Sequence, residues 1–259
     1  MKISKDDIRL LLSLVKNDLK SRYSGSALGL VWAFVQPLIT VLVFWFVFTG
    51  FKNPPVDDVQ FIIWFVAAYI PWTFFNDGLL STTNVFYEYS YLVKKMKFKI
   101  WLLPLIKLLS SFCIHVFLLL FVFLMYLIYG YTPNIAWISV FYYSFCVFAL
   151  LIGLAYCVGA VSVFFKDAAQ LVNIILQLGF WMTPVFWSPA TMNGKILKIL
   201  SFNPLYYVME GNRAALIYSV GFWNRPILET VYFWGFALAM FIIGTKVYKN
   251  LRVHFSDLL

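Results

Sequence analysis

Charged side chains are scarce in this sequence. They make up 12% of its 259 residues, whereas hydrophobic residues make up 63% and the mean hydropathy is +0.84. Soluble domains carry about 25% charged residues, so the shortage excludes an ordinary soluble protein and indicates an integral membrane protein. Membrane spans would take up most of the chain and leave no room for a soluble domain of ordinary size. Any chemistry that requires a nucleotide-binding domain must therefore come from another chain.

Signatures of catalysis are missing as well. The sequence contains no HExxH, no GxSxG, no phosphate-binding GxxxxGK[ST] loop and no acidic cluster suited to Mg²⁺ beside a diphosphate lipid. We therefore predict no catalytic residue, no metal site and no ATP hydrolysis by this chain. Cysteine is rare, and its three positions lie inside apolar runs without CxxC spacing: Cys113, Cys146 and Cys157. We interpret them as packing residues rather than as ligands or a disulfide framework.

Positive charge is unevenly distributed along the chain. The net charge of +9 would suggest a nucleic-acid partner in a soluble protein. Here fifteen of the twenty Lys and Arg residues fall in the N-terminal segment, a loop near 84–107, a turn at Lys166 and the C-terminus. These places alternate across the predicted spans, so the positive-inside rule puts both termini in the cytoplasm. We expect no nucleic-acid partner and, because the N-terminal segment lacks an uninterrupted apolar core, no cleavable signal.

Residues 4–22 predict an amphipathic helix that lies in the membrane interface. Its apolar stripe consists of Ile8, Leu11, Leu12, Val15 and Leu19, and its opposite face of Arg9, Ser13, Lys16 and Lys20. A joint of small residues follows, and the chain enters its first long apolar run at Leu28. A plain anchor for the first span is the alternative interpretation.

Long apolar runs predict an all-α polytopic membrane protein, a single domain over 1–259. The six predicted transmembrane helices are 28–50, 61–83, 101–128, 138–164, 168–187 and 228–248. The apolar segments within 195–222 fall short of the ~20 residues needed to cross a bilayer, so we expect external re-entrant helices with a break at Asn203-Pro204. Glu210 and Arg213 share one face there. They could form a structural ion pair or contact an anionic substrate, and we favour the structural pair.

A few residues inside the spans need their own interpretation. Asp77 is a lone acid at membrane depth and therefore a candidate functional residue, although a bond to a neighbouring helix fits equally well. We expect Lys107 to extend to the lipid headgroups and His115 to hydrogen-bond another helix. Gly153 and Gly159 would let neighbouring helices approach closely.

Aromatic residues are abundant, with 28 Phe, 16 Tyr and 10 Trp. Some belong to the interfacial belts of a membrane protein. Others lie along span interiors, where aromatic faces could stack on the apolar C–H faces of sugar rings. The candidate channel-lining residues are Trp45, Trp72, Phe180 and Trp181. Lipid-facing packing explains many of these aromatic residues equally well.

Residues 84–100, NVFYEYSYLVKKMKFKI, form the main predicted cytoplasmic loop. Four lysines near its end alternate with apolar residues, which fits an anchor on anionic lipid. Glu88 and three tyrosines precede them, and this aromatic half offers contact area for a cytoplasmic partner. The residues alone leave both interpretations open.

Four stretches together resemble the membrane subunit of type-2 ABC exporters, a family that exports lipid-linked cell-surface polymers such as O-antigen polysaccharide and wall teichoic acid. They are RYSGSALGLVWAFVQPL (22–38), YLVKKMKF (91–98), VFFKDAAQLVNIILQLGFWMTPVFW (163–187) and NPLYYVMEGNRAAL (203–216). These stretches lie in the family's order and span most of the chain. The first and third are fairly specific for the family.

The resemblance implies which residues form the functional sites. The N-terminal helix would contact a separate ATPase, and a first coupling helix over 87–98 would dock into it. The implied coupling residues are Tyr87, Glu88, Leu92, Lys94, Lys95 and Lys97, with a second contact at Lys166 and Asp167, where many relatives have Arg-Asp. The implied gate and interface residues are Arg22, Tyr23, Gly25, Gly29 and Trp32.

The resemblance also implies the partners. Two copies of the chain would form a homodimer with one channel in the bacterial cytoplasmic (inner) membrane, each copy paired with an ATP-binding cassette subunit. That subunit would bind ATP and Mg²⁺, and this chain would bind no cofactor. ATP binding would move the coupling helices and open the channel between the first and fifth spans for a lipid-linked polysaccharide.

Two other functions stay open at this point. An ABC-2 permease for a small lipophilic molecule would have the same fold, although the aromatic content and short external loops favour a polymer. A membrane-embedded glycosyl or phosphosugar transferase would need convergent acids. Asp77, Glu210 and Glu229 lie at different predicted depths, which argues against it.

Charge reversal at Lys94, Lys95 and Lys97 tests the role of the loop. We expect the triple variant to insert normally but to uncouple the ATPase and lose export, because a docking surface of the wrong charge repels its partner. Export and ATP hydrolysis are measured in membranes that also contain the ATP-binding subunit. Unchanged export would mean that the loop is only a lipid anchor.

Overall fold

A computed structural model of the chain describes residues 5–22, 29–49, 59–93, 98–165 and 167–259. Every regular element in these ranges is a helix, which confirms the prediction of an all-α protein. The α-helices are α1 (Lys5–Ser21), α2 (Trp32–Thr49), α3 (Phe61–Thr83), α4 (Val85–Glu88), α5 (Ser90–Val93), α6 (Leu102–Ile128), α7 (Ile138–Ser162), α8 (Ala168–Met182), α9 (Gly194–Leu200), α10 (Pro204–Leu216), α11 (Ile227–Leu251) and α12 (Phe255–Leu258).

Four helical segments of the described chain are long and apolar enough to cross a membrane. They are Gly29–Phe48, Leu102–Ile128, Ile135–Ser162 and Ile227–His254. At 1.5 Å per residue, helices of this length reach about 30 Å or more, the thickness of the hydrocarbon core. They correspond to the predicted first, third, fourth and sixth spans, so the protein is an integral membrane protein.

Helix α3 is the centre of the bundle. Its 23 residues reach far enough to cross a bilayer, but Asn76 and Asp77 make its second half more polar. In its first half every side chain from Ile62 to Pro71 is buried, as is typical of a helix that is apolar on all sides. Helices α6, α7 and α10 pack around it.

Helix α8 is shorter than the predicted fifth span. Its 15 residues cover about 22 Å, which is less than the ~30 Å hydrocarbon core. The helix ends at Met182 rather than at residue 187, because Thr183 is extended (φ −93°, ψ 142°). Thr183 precedes Pro184, and proline disfavours the helical conformation in the residue before it.

Two predicted segments consist of short helices. The described part of the loop 84–100 forms α4 and α5, with a break at Tyr89, instead of one continuous coupling helix from residue 87. Within 195–222, α9 has 7 residues and α10 has 13, so neither is long enough to cross. The break lies at Asn203-Pro204 as predicted, because the Asn203 side chain caps α10 by accepting a hydrogen bond from the Leu205 amide (3.0 Å).

Helices α7 and α11 pack backbone against backbone. A Cβ atom added to Gly244 would lie 2.0 Å from the carbonyl oxygen of Gly153. A Cβ atom on Gly159 would lie 3.0 Å from the carbonyl oxygen of Thr82 on α3. The prediction that Gly153 and Gly159 allow close approach of neighbouring helices is confirmed.

Substitution of Gly244 by alanine tests this contact. We expect Gly244→Ala to destabilise the protein by about 1–3 kcal/mol, because the added methyl group forces the backbone of α7 to move. Thermal unfolding in detergent measures the effect. Gly235→Ala on the same helix is the matched control, since a Cβ atom there has no neighbour within 4 Å. Equal melting temperatures for the two variants would contradict the close contact.

Candidate functional site

The buried face of α1 carries acids as well as apolar residues. Val15 is buried against α6, where the Ser110 hydroxyl donates to its carbonyl oxygen (3.5 Å). Lys16 and Lys20 are exposed, as the amphipathic pattern predicts. Asp18, however, lies one turn beyond Val15 on the same buried face, and its side chain has no exposed surface. The periodicity of the sequence missed Asp18 because an acid in a helix normally marks the solvated face.

The Asp18 carboxylate is held by three partners from three elements. Its Oδ1 atom lies 2.7 Å from Lys107 Nζ and accepts a hydrogen bond from the Tyr89 hydroxyl (2.9 Å), and its Oδ2 atom lies 3.0 Å from Arg22 Nε. Burial raises the pKa of the Asp18 carboxyl. The hydrogen bond and charge of Lys107 and the charge of Arg22 outweigh burial, so the pKa lies below its usual value. Asp18 is therefore ionised at neutral pH.

Lys107 does not extend to the membrane surface, so that prediction is wrong. The residue is 5% exposed, and its Nζ atom pairs with Glu88 of α4 at 2.6 Å as well as with Asp18. A buried ammonium group needs such carboxylate partners because it has lost its hydration. The sequence around Lys107 does not reveal Glu88 and Asp18 as its partners, because both lie far from it along the chain.

Arg22 connects α1 to the helices that form the middle of the bundle. Its Nη1 atom lies 3.0 Å from Asp77 Oδ2 on α3, and its Nη2 atom donates to the Lys107 carbonyl (3.3 Å) and to the Ser111 hydroxyl (3.2 Å) on α6. Burial by itself lowers the pKa of the guanidinium group. The negative charges of Asp77 and Asp18 raise the pKa by more than burial lowers it, so the pKa lies above its usual value. Asp77 is thus not a lone acid, and its bond to another helix is confirmed.

These contacts form one continuous series, which we call the charge network: Glu88, Lys107, Asp18, Arg22 and Asp77. Acids and cations alternate along it, with three negative and two positive formal charges. The central Asp18 side chain is fully buried, whereas the side chains of the terminal Glu88 and Asp77 are 49% and 46% exposed. The network therefore begins and ends at two accessible surfaces and is buried between them.

A cavity of about 680 Å³ opens beside the Asp77 end of the network. Helices α2, α3, α6 and α8 line it. Its polar lining residues are Gln36, Thr40, Thr73, Asn76, Asp77, Ser111, His115, Asn173 and Gln177, and its aromatic ones are Phe44, Tyr69, Trp72, Phe74 and Phe180. Among these lining residues Asp77 carries the one formal charge, with His115 neutral. The walls thus combine amide groups and aromatic faces with very little charge.

Two of the four aromatic residues predicted to line a channel lie in this cavity. Trp72 of α3 and Phe180 of α8 face each other there, with ring centroids 5.5 Å apart. Trp45 instead lines a smaller apolar groove of about 360 Å³ against α6. Trp181 is 62% exposed and stacks on Phe186.

His115 bonds to a neighbouring helix, as predicted. Its Nε2 atom lies 2.9 Å from the Ser144 hydroxyl of α7. Because that hydroxyl donates to the Val140 carbonyl (2.8 Å), it accepts from His115, which fixes the proton on Nε2. The imidazole ring also stacks on Phe74 (4.6 Å).

The predicted coupling residues that the structure describes lie around α4 and α5. The Tyr87 hydroxyl donates to the Val163 carbonyl at the end of α7 (2.9 Å). Glu88 ends the charge network, Leu92 is half-buried, and Asp167 is exposed at the start of α8. The other predicted coupling residues, Lys94, Lys95, Lys97 and Lys166, lie outside the described residues.

The predicted gate residues that the structure describes lie at the end of α1 and around the start of α2. Arg22 belongs to the charge network, Gly29 adopts a positive φ of 51° at the start of a 3₁₀ turn, and Trp32 is exposed on α2. A positive φ strains residues that have a Cβ atom, so this turn favours glycine. Tyr23 and Gly25 lie outside the described residues.

Arg213 is enclosed by protein partners, which agrees with the favoured interpretation of Glu210 and Arg213 as a structural ion pair. It is 1% exposed and pairs with Glu210 one turn earlier. Its other nitrogens donate to the Trp64 carbonyl (3.1 Å) and the Val185 carbonyl (2.9 Å), and its guanidinium group lies 3.3 Å from the centre of the Trp64 ring. Arg213 therefore joins α10 to α3 and to the segment after α8.

A bundle of apolar helices around a cavity walled by amide and aromatic groups is the architecture of a membrane permease. The sequence matches the family described as ABC-2 type transporter over residues 9–217. The chain belongs to this family, which confirms the resemblance, and membership implies an ATP-binding cassette partner.

The relatives are named as permeases. An O-antigen export system permease protein RfbA of Klebsiella pneumoniae is 23% identical over 255 residues, covering 96% of this chain and 95% of the relative. A protein of the same name from Myxococcus xanthus is 28% identical over 209 residues, 79% of each chain.

Removal of the Lys107 ammonium group tests the buried part of the charge network. We expect Lys107→Met to destabilise the protein by up to about 3–5 kcal/mol, because the buried Asp18 carboxylate loses the nearer of its two cations and keeps only Arg22. Thermal unfolding in detergent measures the loss. The exposed Lys198→Met is the matched control, and addition of Asp18→Asn to Lys107→Met is expected to recover part of the stability. Equal melting temperatures for Lys107→Met and Lys198→Met would contradict the burial of the Lys107–Asp18 ion pair.

Proposed function

We propose that this chain is the membrane subunit of an ATP-driven exporter of a lipid-linked O-antigen-type polysaccharide. The observation that carries the proposal is the cavity between α2, α3, α6 and α8, in a chain of the ABC-2 type transporter family. The relatives named O-antigen export permeases cover 96% and 79% of the chain and support the same substrate class.

The cavity walls suit a sugar chain. Phe44 and Phe180 are partly exposed in the lining and present aromatic faces, which can stack on the C–H faces of sugar rings. Asn76, Asn173 and Gln177 present amide groups that donate and accept hydrogen bonds with hydroxyl groups. A volume of about 680 Å³ takes a short segment of a polymer, as expected for a route through which a long chain slides.

The near absence of charge favours an uncharged polysaccharide over a polyphosphate such as teichoic acid. Among the lining residues that the structure describes, Asp77 carries the one formal charge, and it is negative. A polyanionic chain would lose its hydration there and gain no cationic partner from the described lining residues, since Arg22 beside the cavity is already paired with Asp77. A small lipophilic substrate is disfavoured too, since the amide groups would lose their hydration without gaining partners.

The transferase alternative lacks a set of convergent acids in the described part of the chain. Asp77 pairs with Arg22, Glu210 with Arg213, and Glu229 with Arg225. The three carboxylates lie on α3, α10 and α11. Each carboxylate thus already has a cationic partner in its own part of the bundle.

The segment formed by α4 and α5 docks into the ATP-binding subunit in this proposal. Val85, Phe86 and Val93 are buried, and the ring of Phe86 lies 4.8 Å from that of Phe255. Glu88 and Tyr91 face outward. An amphipathic segment with one face packed on the bundle is suited to move with a partner bound to its other face. The predicted lysines after it and the contact at Lys166-Asp167 would enlarge the docking surface.

The proposed assembly has two copies of this chain and two ATP-binding subunits, which bind ATP and Mg²⁺. Its six spans are α2, α3, α6, α7, α11 and the segment 168–187, in which residues 183–187 extend α8. Helices α9 and α10 form the re-entrant pair, and the gate consists of Arg22, Tyr23, Gly25, Gly29 and Trp32. Both termini lie in the cytoplasm. In support, Val15 of α1 and Phe255 of α12 belong to the same buried cluster as Phe86 of α4, so both ends of the described chain meet the proposed docking segment.

Obstruction of the cavity tests the proposed route. We expect Gln177→Trp to reduce export of an undecaprenyl-diphosphate-linked uncharged O-polysaccharide by about tenfold or more, because the indole fills a space that the chain must pass. Assembly with the ATP-binding subunit and basal ATP hydrolysis should persist. Export is measured in inverted vesicles that contain the assembled complex.

Leu238→Trp is the control for this substitution, since Leu238 is 60% exposed on the outer face of α11. Equal export by the two tryptophan variants would contradict the proposed route. Purification of the chain without any ATP-binding subunit under gentle detergent would contradict the exporter itself.

A further inference from the structure

We propose that the charge network is a coupling relay that passes movement of α4 to the cavity wall. The inference rests on the proposed function, because it assumes that a nucleotide-driven partner moves α4. It assigns a positioning role to Asp18, Arg22 and Lys107, which lie between the two ends of the relay.

The geometry places the two ends of the relay at different functional surfaces. Glu88 is half-exposed on the α4 segment, where the partner is proposed to dock. Asp77 is half-exposed in the cavity wall, and Ser111, which also lines the cavity, accepts a second hydrogen bond from Arg22. The structure joins these ends through consecutive ion pairs of 2.6, 2.7, 3.0 and 3.0 Å.

The relay works because each of its two cations is shared between two acids that compete for it. Lys107 is shared between Glu88 and Asp18, and Arg22 is shared between Asp18 and Asp77. When α4 withdraws Glu88, Lys107 is left to Asp18 alone and satisfies more of its charge. Arg22 is then bound less tightly by Asp18 and can shift toward Asp77 and Ser111. Small shifts of these groups change their interaction energies substantially, because charges interact strongly where water is excluded.

A static clamp would not need this arrangement. Apolar packing already joins α1, α4 and α6, since Val15, Val85 and Ile106 share one buried cluster. Replacement of a buried ion pair by apolar residues is often neutral or stabilising. Apolar side chains could therefore supply most of the stability that the network provides. The accessible acids at its two ends fit a role in transmitting movement between the docking segment and the cavity.

The two ends can be neutralised without stranding a buried charge. In Glu88→Gln, Lys107 keeps Asp18 as its partner, and in Asp77→Asn, Arg22 keeps Asp18. Both variants should therefore fold and assemble. Glu229→Gln is the matched control, because Glu229 is also a partly exposed acid in an ion pair, with Arg225 at 2.6 Å, outside the network.

The experiment measures how nucleotide binding changes access to the cavity. The parent carries Asn173→Cys in the cavity wall and lacks the native cysteines, through Cys113→Ser, Cys146→Ala and Cys157→Ala. The complex with the ATP-binding subunit is placed in nanodiscs, and labelling by a charged maleimide is timed without nucleotide and after trapping with ADP and vanadate. We expect the parent rates to differ by about fivefold or more, the lower range of allosteric coupling.

The relay predicts that Glu88→Gln and Asp77→Asn each bring this ratio close to one, while Glu229→Gln leaves it unchanged, in complexes that copurification shows to retain the ATP-binding subunit. It also predicts that the double variant Glu88→Gln/Asp77→Asn loses no more of the nucleotide-dependent change in labelling rate than either single variant. Independent sites would instead give additive losses. Parent-like ratios in the single variants, or additive losses in the double, would overturn the relay and leave the exporter function intact. An unchanging ratio in the parent itself would contradict the proposed exporter, and the relay with it.

Discussion

A fully buried carboxylate is the constraint on which one end of this bundle depends. Asp18 has lost all its hydration, and a buried charge is tolerated only with close partners of opposite sign. Lys107 and Arg22 supply them, and each of these cations brings in a further acid, Glu88 or Asp77. This requirement links α1, α3, α4 and α6 in addition to the apolar packing between them. In this way an amphipathic surface helix becomes part of the bundle.

Helix α3 carries two environments in one element. Its first half is enclosed by protein and contacts Arg213 of α10, whereas its second half brings Asn76 and Asp77 to the cavity. Polar groups at this depth need protein partners or a water-filled space, because lipid offers neither donors nor acceptors. The cavity and the charge network meet this need from two sides. Part of the cavity lining and the acid that pairs with Arg22 therefore occur on the same helix.

The agreement between prediction and structure differs from one kind of element to another. Four of the six spans predicted from apolar runs are long and apolar enough to cross a membrane, because hydrophobic length is a property of consecutive residues. The end of α8 was misplaced by five residues, although Thr183-Pro184 already contained the stop signal. Trp72 lies in the cavity and Trp181 faces outward. Composition could not separate these two tryptophans, since both lie in apolar helices of similar character.

The sequence by itself determined the protein class, the helical architecture, the lack of a recognisable ATP-binding loop and the break at Asn203. Each of these depends on composition or on neighbours within a few residues. Only the tertiary structure decided that Lys107 is buried and that Asp18 and Asp77 share one arginine. Arg22 and Asp77 are 55 positions apart, and Arg22 lies 89 positions from Ser111. No local period encodes such a pairing, because the partner of a buried charge is chosen by the packing of whole helices.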